Sequence, residues 1–207
     1  MLGFGSLGEE PLGGLPLPRR IVEAAEHASL TVFSVVIPEE GLLVPETRVA
    51  QGTLIKSTSA LWAVMAERLG QDWEEAFRLS ASEWEELVAG AFKRDGYDEV
   101  ILTPRSGDHG RDVIAVKRGV GCVKIIGSVK AYKPGHNVGY DDVRALLGVM
   151  SGERDVSKGI IATTSDFPPR IAADPFIAPF LPTRLELMNG TRYENGLPNS
   201  RPTRREA

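Results

Sequence analysis

Two residues, Asp112 and Lys130, carry chemistry that an ordinary β-hairpin would bring together. They lie in runs rich in β-branched residues, 111–117 and 122–131, divided by Gly119-Val120-Gly121. That pattern reads as two antiparallel strands joined by a short turn. With the turn centred on Val120, Asp112 falls opposite Ser128. Side chains alternate along a strand, so Ser128 and Lys130 share the face on which Asp112 stands. Lys130 is then the diagonal neighbour of Asp112, roughly 7–8 Å away between backbone positions and within reach of a long side chain. A carboxylate so placed can hold Mg²⁺ through oxygen while the ion keeps some of its waters. Such a cation polarises a phosphate and acidifies a water, and the ammonium steadies the attacking water and the phosphate charge. The same Asp–Lys pair also fits a surface ion pair, which contributes little.

The elements that must position this pair can be read on either side of it. Ser80-Ala-Ser-Glu83 is a capping box that opens a helix. Trp84, Leu87, Val88, Ala91 and Phe92 then form an apolar stripe at helical spacing, and Gly96 ends the helix. Glu85 borders the stripe, in line with Val88 and Phe92, and is the candidate second carboxylate. A strand over 99–103 precedes the hairpin, with Gly107 and Gly110 in the connection. A helix over 140–150, a buried strand over 159–164 and another over 185–188 follow it. Strand, helix and strand in that order imply a right-handed parallel crossover and a mixed sheet. Upstream, Leu61, Val64, Met65 and Leu69 mark a helix closed by Gly70. Residues 31–37 read as a strand stopped by Pro38, with 42–44 able to pair back onto it. The expected division is an N-terminal arm and small strand segment over 1–51, a helical linker segment over 52–79, the main domain over 80–193 and a disordered basic tail over 194–207.

The bulk composition narrows the function classes. With 207 residues, 42% hydrophobic and 25% charged, the chain can bury a core of ordinary size. A formal net charge of -4 offers no molecule-wide attraction for nucleic acid, so any DNA surface must be local. The single cysteine, Cys122, excludes an internal disulfide and a cysteine-rich zinc site, and suits the cytoplasm. No apolar run reaches the roughly 20 residues of a membrane-spanning helix, so no membrane partner is expected. Met1 to Gly14 lacks the pattern of a secretory signal.

The motifs also resemble a known family. Trp84-Glu85-Glu86-Leu87-Val88, Gly96-Tyr97, Ser106-Gly-Asp-His-Gly-Arg-Asp112-Val-Ile-Ala115 and Val129-Lys130-Ala-Tyr132 stand in the order of an Mrr-type restriction endonuclease domain, a member of the PD-(D/E)XK nuclease superfamily. Residues 143–148, 159–165 and 185–190 match its later landmarks. The resemblance implies an α/β fold with a restriction-endonuclease-like three-layer core, a mixed central β-sheet flanked by helices. It implies that Asp112 binds metal, that Lys130 is the catalytic lysine and that Glu85 completes the acidic site. Mg²⁺, with Mn²⁺ able to substitute, is the implied cofactor. Double-stranded DNA is the implied partner, and a homodimer is expected because cutting both strands needs two sites. Ser128 departs from the family pattern, which places Gln or Glu there. Its hydroxyl can reach a metal-held water but is shorter and uncharged, so one oxygen contact weakens or is lost.

His109, Lys133 and His136 flank the strands and are candidate DNA contacts; an ordinary polar loop explains them as well. Three function classes stay in competition. The first is a metal-dependent DNA endonuclease in restriction or defence. The second is a weakened nuclease-like module that binds DNA or a protein partner without cutting. The third is a nuclease specific for branched structures.

Overall fold

The computed structural model describes residues 41–104 and 110–190. The expected N-terminal arm, the strand over 31–37, the loop glycine Gly107, His109 and the basic tail all lie outside the described residues.

Among the described residues seven strands form one sheet, arranged in space in their order along the chain. They are β1 (Leu43–Val49), β2 (Gly52–Thr58), β3 (Glu99–Leu102), β4 (Val113–Lys117), β5 (Val123–Lys130), β6 (Lys158–Thr163) and β7 (Leu185–Met188). The first five run antiparallel to their neighbours. From β5 onward the pairing is parallel. The mixed sheet read from the strand–helix–strand pattern is therefore present. The parallel half is linked through α3 (Tyr140–Gly152), which connects β5 to β6.

Two apolar layers cover the sheet. One face packs against α1 (Ala60–Gln71) and α2 (Ala81–Arg94), with Trp62, Trp84, Leu87, Val113, Ile125 and Val129 in a common core. The opposite face packs against α3, with Ile114, Ile126, Val143, Leu146, Ile161 and Leu185 in a second core. Consecutive residues of β4 and β5 alternate between the two, as strand geometry requires. This is the three-layer core.

The α2 helix starts where the capping box places it. Ser80 Oγ accepts from the Glu83 amide at 3.2 Å, and the Glu83 carboxylate accepts from the Ser80 amide at 2.7 Å. At its other end Gly96, with φ of 79°, takes the left-handed turn that leads into β3. Residues 52–58 differ from expectation: within the stretch read as a helical linker they form β2. Thr53, Ile55 and Ser57 alternate with Leu54 and Lys56, Ile55 is buried, and the strand pairs with both β1 and β3. Leu43 opens β1, whose partner is β2. Any pairing with 31–37 lies outside the described residues. No helix among the described residues is long and apolar enough to cross a membrane.

Beneath α3, Arg111 and Lys124 both meet Glu153, and Lys124 also meets Asp155 at 2.9 Å. Burial alone would lower the Lys124 ammonium, but hydrogen bonds to Asp155 and Glu153 outweigh it and raise the group. Arg111 is thus largely buried in an ion pair that ties the start of β4 to the end of α3.

Two outcomes follow from the α1–α2 layer. A Cβ on Gly90 would come within 2.0 Å of Trp62 Nε1, which donates to the Leu87 carbonyl at 3.1 Å. Alanine would favour the helix by about 1 kcal/mol, but the indole is fixed by that bond and overpacking costs about 1–3 kcal/mol. Gly90→Ala should therefore lower stability in urea unfolding, and a gain near 1 kcal/mol would contradict the packing. The second concerns Glu86, whose Oε2 accepts from the Leu42 amide at 3.1 Å. Burial pushes its carboxyl above the usual range, with Glu83 adding to the rise, against the lowering effect of that amide. A raised folded pKa favours the protonated fold, so stability falls as pH climbs from the ordinary glutamate range through the raised value. Glu86→Gln should melt higher than the parent at neutral pH, and the difference should vanish near about pH 4. A pH-independent difference would assign the effect to packing.

Candidate active site

The β4–β5 hairpin holds the expected register. Val113 pairs with Gly127, Ile114 with Ile126 and Lys117 with Val123, so the turn is centred on Val120. One step beyond the ladder, the Asp112 amide donates to the Gly127 carbonyl at 2.8 Å, and Asp112 Oδ2 accepts from the Val129 amide at 2.5 Å. Asp112 therefore stands level with Gly127 and Ser128, where the two strands begin to part. Its carboxylate is tied to the backbone of β5 by a charge-assisted bond.

Lys130 is the last residue of β5. Val129 lies in the α2 core, so alternation sends Lys130 toward the α3 layer. Its Nζ lies 3.8 Å from Asp142 Oδ1 in the first turn of α3. Asp142 is itself held, since its Oδ2 accepts from the Gly139 amide at 3.1 Å. Ser128 precedes Lys130 by two residues and is buried at 4% exposure. Alternation gives it the same face as Lys130.

Glu85 lies half-buried in the second turn of α2, in the layer on the other face of the sheet. It lies at the same end of the sheet as Lys130, which follows from two connections. The last turn of α2 feeds β3 at Glu99, whose partner Val116 is at the far end, so the start of α2 returns to the near end. Next to Glu85, Trp84 meets Trp73 edge to face at 5.8 Å. Trp73 Nε1 donates to the Thr164 carbonyl at 3.1 Å, and the Thr164 amide donates to the Lys130 carbonyl at 3.1 Å. The sheet end thus gathers Asp112, Ser128 and Lys130 directly, with Asp142 over one face and Glu85 over the other.

Lys133 and His136 follow in an exposed turn, closed by the His136 amide on the Lys133 carbonyl at 3.1 Å and by Gly135 with φ of 81°. The His136 ring stands edge-on to Tyr132 at 4.5 Å. Both residues lie on the segment leaving β5 at this same end. His109 lies outside the described residues. Asp142 escaped the sequence reading. The available signal was an acid three residues after Gly139 at the head of an amphipathic helix, which marks a capping position but says nothing of a lysine across the sheet.

This end of the sheet is where β5, β6 and β7 finish, the side on which parallel sheets leave room for ligands. At this end Lys130 can neutralise an anion, and the carboxylates of Asp112, Asp142 and Glu85 offer oxygen from separate elements.

Comparison with known proteins bears on which chemistry that is. The restriction endonuclease family model of the Mrr catalytic type matches residues 77–192, which is more than half of the chain. No curated protein matches it. The MspJI restriction endonuclease in complex with a 27-mer oligonucleotide is similar at 16% identity and a TM-score of 0.41, over 67% of this chain and 32% of that one. The DNA modification-dependent restriction endonuclease AspBHI is similar at 18% identity and a TM-score of 0.46, over 75% of this chain and 38% of that one. The chain thus spans only 32% and 38% of the length of these two proteins. The family match takes in α2, α3 and every strand from β3 to β7, including the hairpin that carries Asp112 and Lys130: the chain belongs to the restriction endonuclease family.

Proposed function

We propose that this chain hydrolyses phosphodiester bonds of double-stranded DNA with the help of a divalent cation, in restriction or defence against foreign DNA. The observation that carries the reading is the unslipped β4–β5 register, which sets Asp112 level with Ser128 and puts Lys130 at the same open strand end.

Among the described residues no group of three or more His, Cys, Asp or Glu side chains is placed to hold a metal. Mg²⁺ does not require such a cage. It takes one or two carboxylates, retains waters and completes its shell from substrate phosphate. Asp112 fits that demand, with Glu85 as the second carboxylate of the proposal and the Ser128 hydroxyl able to orient a water. When bound, the cation polarises the phosphate and lowers the pKa of water. The remaining roles belong to the chain itself. The Val129 amide fixes the rotamer of Asp112. The Lys130 ammonium balances the negative charge that grows on the phosphate as the P–O bond breaks. Asp142 keeps that ammonium at the strand end. Lys133 and His136, exposed just beyond, contact the DNA backbone, and a homodimer supplies the second cut.

Plasmid cleavage with Mg²⁺ or Mn²⁺ tests the reading. Asp112→Ala should lower turnover by about 10²–10³ or more while DNA binding persists. Cleavage that survives this change contradicts the assignment. A second reading rests on Ser128, the uncharged residue where the family pattern has Gln or Glu, and makes the domain a DNA-binding module that does not cut. Ser128→Gln separates the two, because a gain of cleavage identifies a weakened enzyme, and metal-independent binding without turnover in either form identifies the module. Asp142→Asn keeps an acceptor for the Gly139 amide and removes the charge facing Lys130. It should lower kcat about tenfold with KM and melting temperature unchanged, whereas an unchanged kcat would leave Asp142 as a helix cap alone.

A further inference from the structure

We propose that a small cavity beside Lys130 binds a single nucleobase, of the kind that carries an exocyclic amino group. The inference deepens the DNA-cutting reading and rests on it for the source of the base. The cavity holds about 240 Å³ and is walled by Trp73, Phe77, Gly135, Thr164, Asp166 and Asn189 among others. It lies among the loops that leave β5, β6 and β7, at the carboxyl ends of the three parallel strands. Ligands gather there in sheets of this kind.

Three features narrow the ligand. The volume is below the roughly 300–1,000 Å³ of sites for drug-sized molecules, which suits one ring system. Trp73 and Phe77 supply aromatic surface, and a base stacks on such surface whatever its sequence context. The one charged side chain in the wall is Asp166, so a phosphate is repelled and the neutral part of a nucleotide is favoured.

The polar groups point to donors on the ligand. Asp166 Oδ1 accepts from Asn189 Nδ2 at 2.8 Å and from the Phe167 amide at 2.7 Å. That bond fixes the amide, leaving Asn189 Oδ1 and Asp166 Oδ2 as two acceptors. Amino groups of adenine, cytosine or guanine match them, and thymine has no amino group to offer. The walls are also braced. Trp73 is tied to Thr164 by its indole N–H, and a Cβ on Gly190 would come within 2.3 Å of Trp73 Nε1, so only glycine lets the chain close against the ring.

The same Thr164 donates its amide to the Lys130 carbonyl at 3.1 Å. The backbone of the cavity wall therefore borders the backbone of Lys130, whose side chain turns to the α3 layer while Trp73 packs with the α2 core. A base cannot enter from within a stacked duplex. It must leave the stack, a step that discriminates between sequences by the cost of unstacking.

The experiment uses the full chain with free adenosine, cytidine and thymidine as probes, read by tryptophan fluorescence and by saturation-transfer NMR. Adenosine or cytidine should bind at least about fivefold more tightly than thymidine, and Phe77→Ala should weaken that binding about fivefold or more. Asn189→Ala, a change near the surface whose fold is checked by its melting temperature, should remove the preference over thymidine. No nucleoside binding at millimolar concentration, equal binding of thymidine, or binding unaffected by both substitutions would overturn the proposal. Failure of the cutting reading shows separately, as no cleavage of plasmid while nucleosides still bind in the stated order.

Discussion

The bond from the Val129 amide to the Asp112 carboxylate is the constraint on which the rest of the site depends. It forms at the point where β4 and β5 stop pairing in a regular ladder, and it ties a charged side chain to the neighbouring strand's backbone. A hydrogen bond to an ionised acceptor is stronger than one between neutral groups. This one therefore resists fraying where a hairpin would otherwise open. It also transmits the register of the whole hairpin to the site. A slip of one residue would turn every side chain of β5 to the opposite layer. Ile125 and Val129 would leave the α2 core, Ile126 would leave the α3 core, and Lys130 would lose its place beside Asp142. The apolar burial of the two layers and the placement of the charged residues are thus one constraint.

β5 has a second role, because the sheet changes from antiparallel to parallel across it. On one side the chain returns by a tight turn and delivers Asp112. On the other it must cross over through α3, and the start of that helix arrives at the strand end that holds Lys130. A sheet of one kind only would supply one of these two partners. The change of direction is what lets a hairpin acid and a helix acid arrive at the same strand end, the helix acid facing Lys130. Glu85 arrives by a third route, over the opposite face at the same end.

Much of this was legible in the sequence, for identifiable reasons. The glycines around Val120 fixed the turn, and the adjacent Ile125 and Ile126, each in a different core, are the unbroken apolar run of a strand buried on both faces. The capping box at Ser80 set the start of α2. Asp142 was not legible as a partner of Lys130, because their contact joins a strand end to a helix start across a nine-residue connection whose path no local pattern encodes. β2 was missed because the short polar run Gly52–Thr58 is held by strands on both sides and has little apolar alternation of its own. The ion pair of Arg111 was not legible because its partner, Glu153, lies at the far end of α3. The cavity at Trp73 is built from four separate segments, which no local sequence pattern brings together.

The most direct test is anomalous diffraction from Mn²⁺ soaked into crystals of the chain with a short DNA duplex. The expected density lies about 2 Å from a carboxylate oxygen of Asp112, with a phosphate between the ion and Lys130. An ion held elsewhere with Asp112 untouched, or a Lys130 side chain directed to the α2 face, would contradict the account.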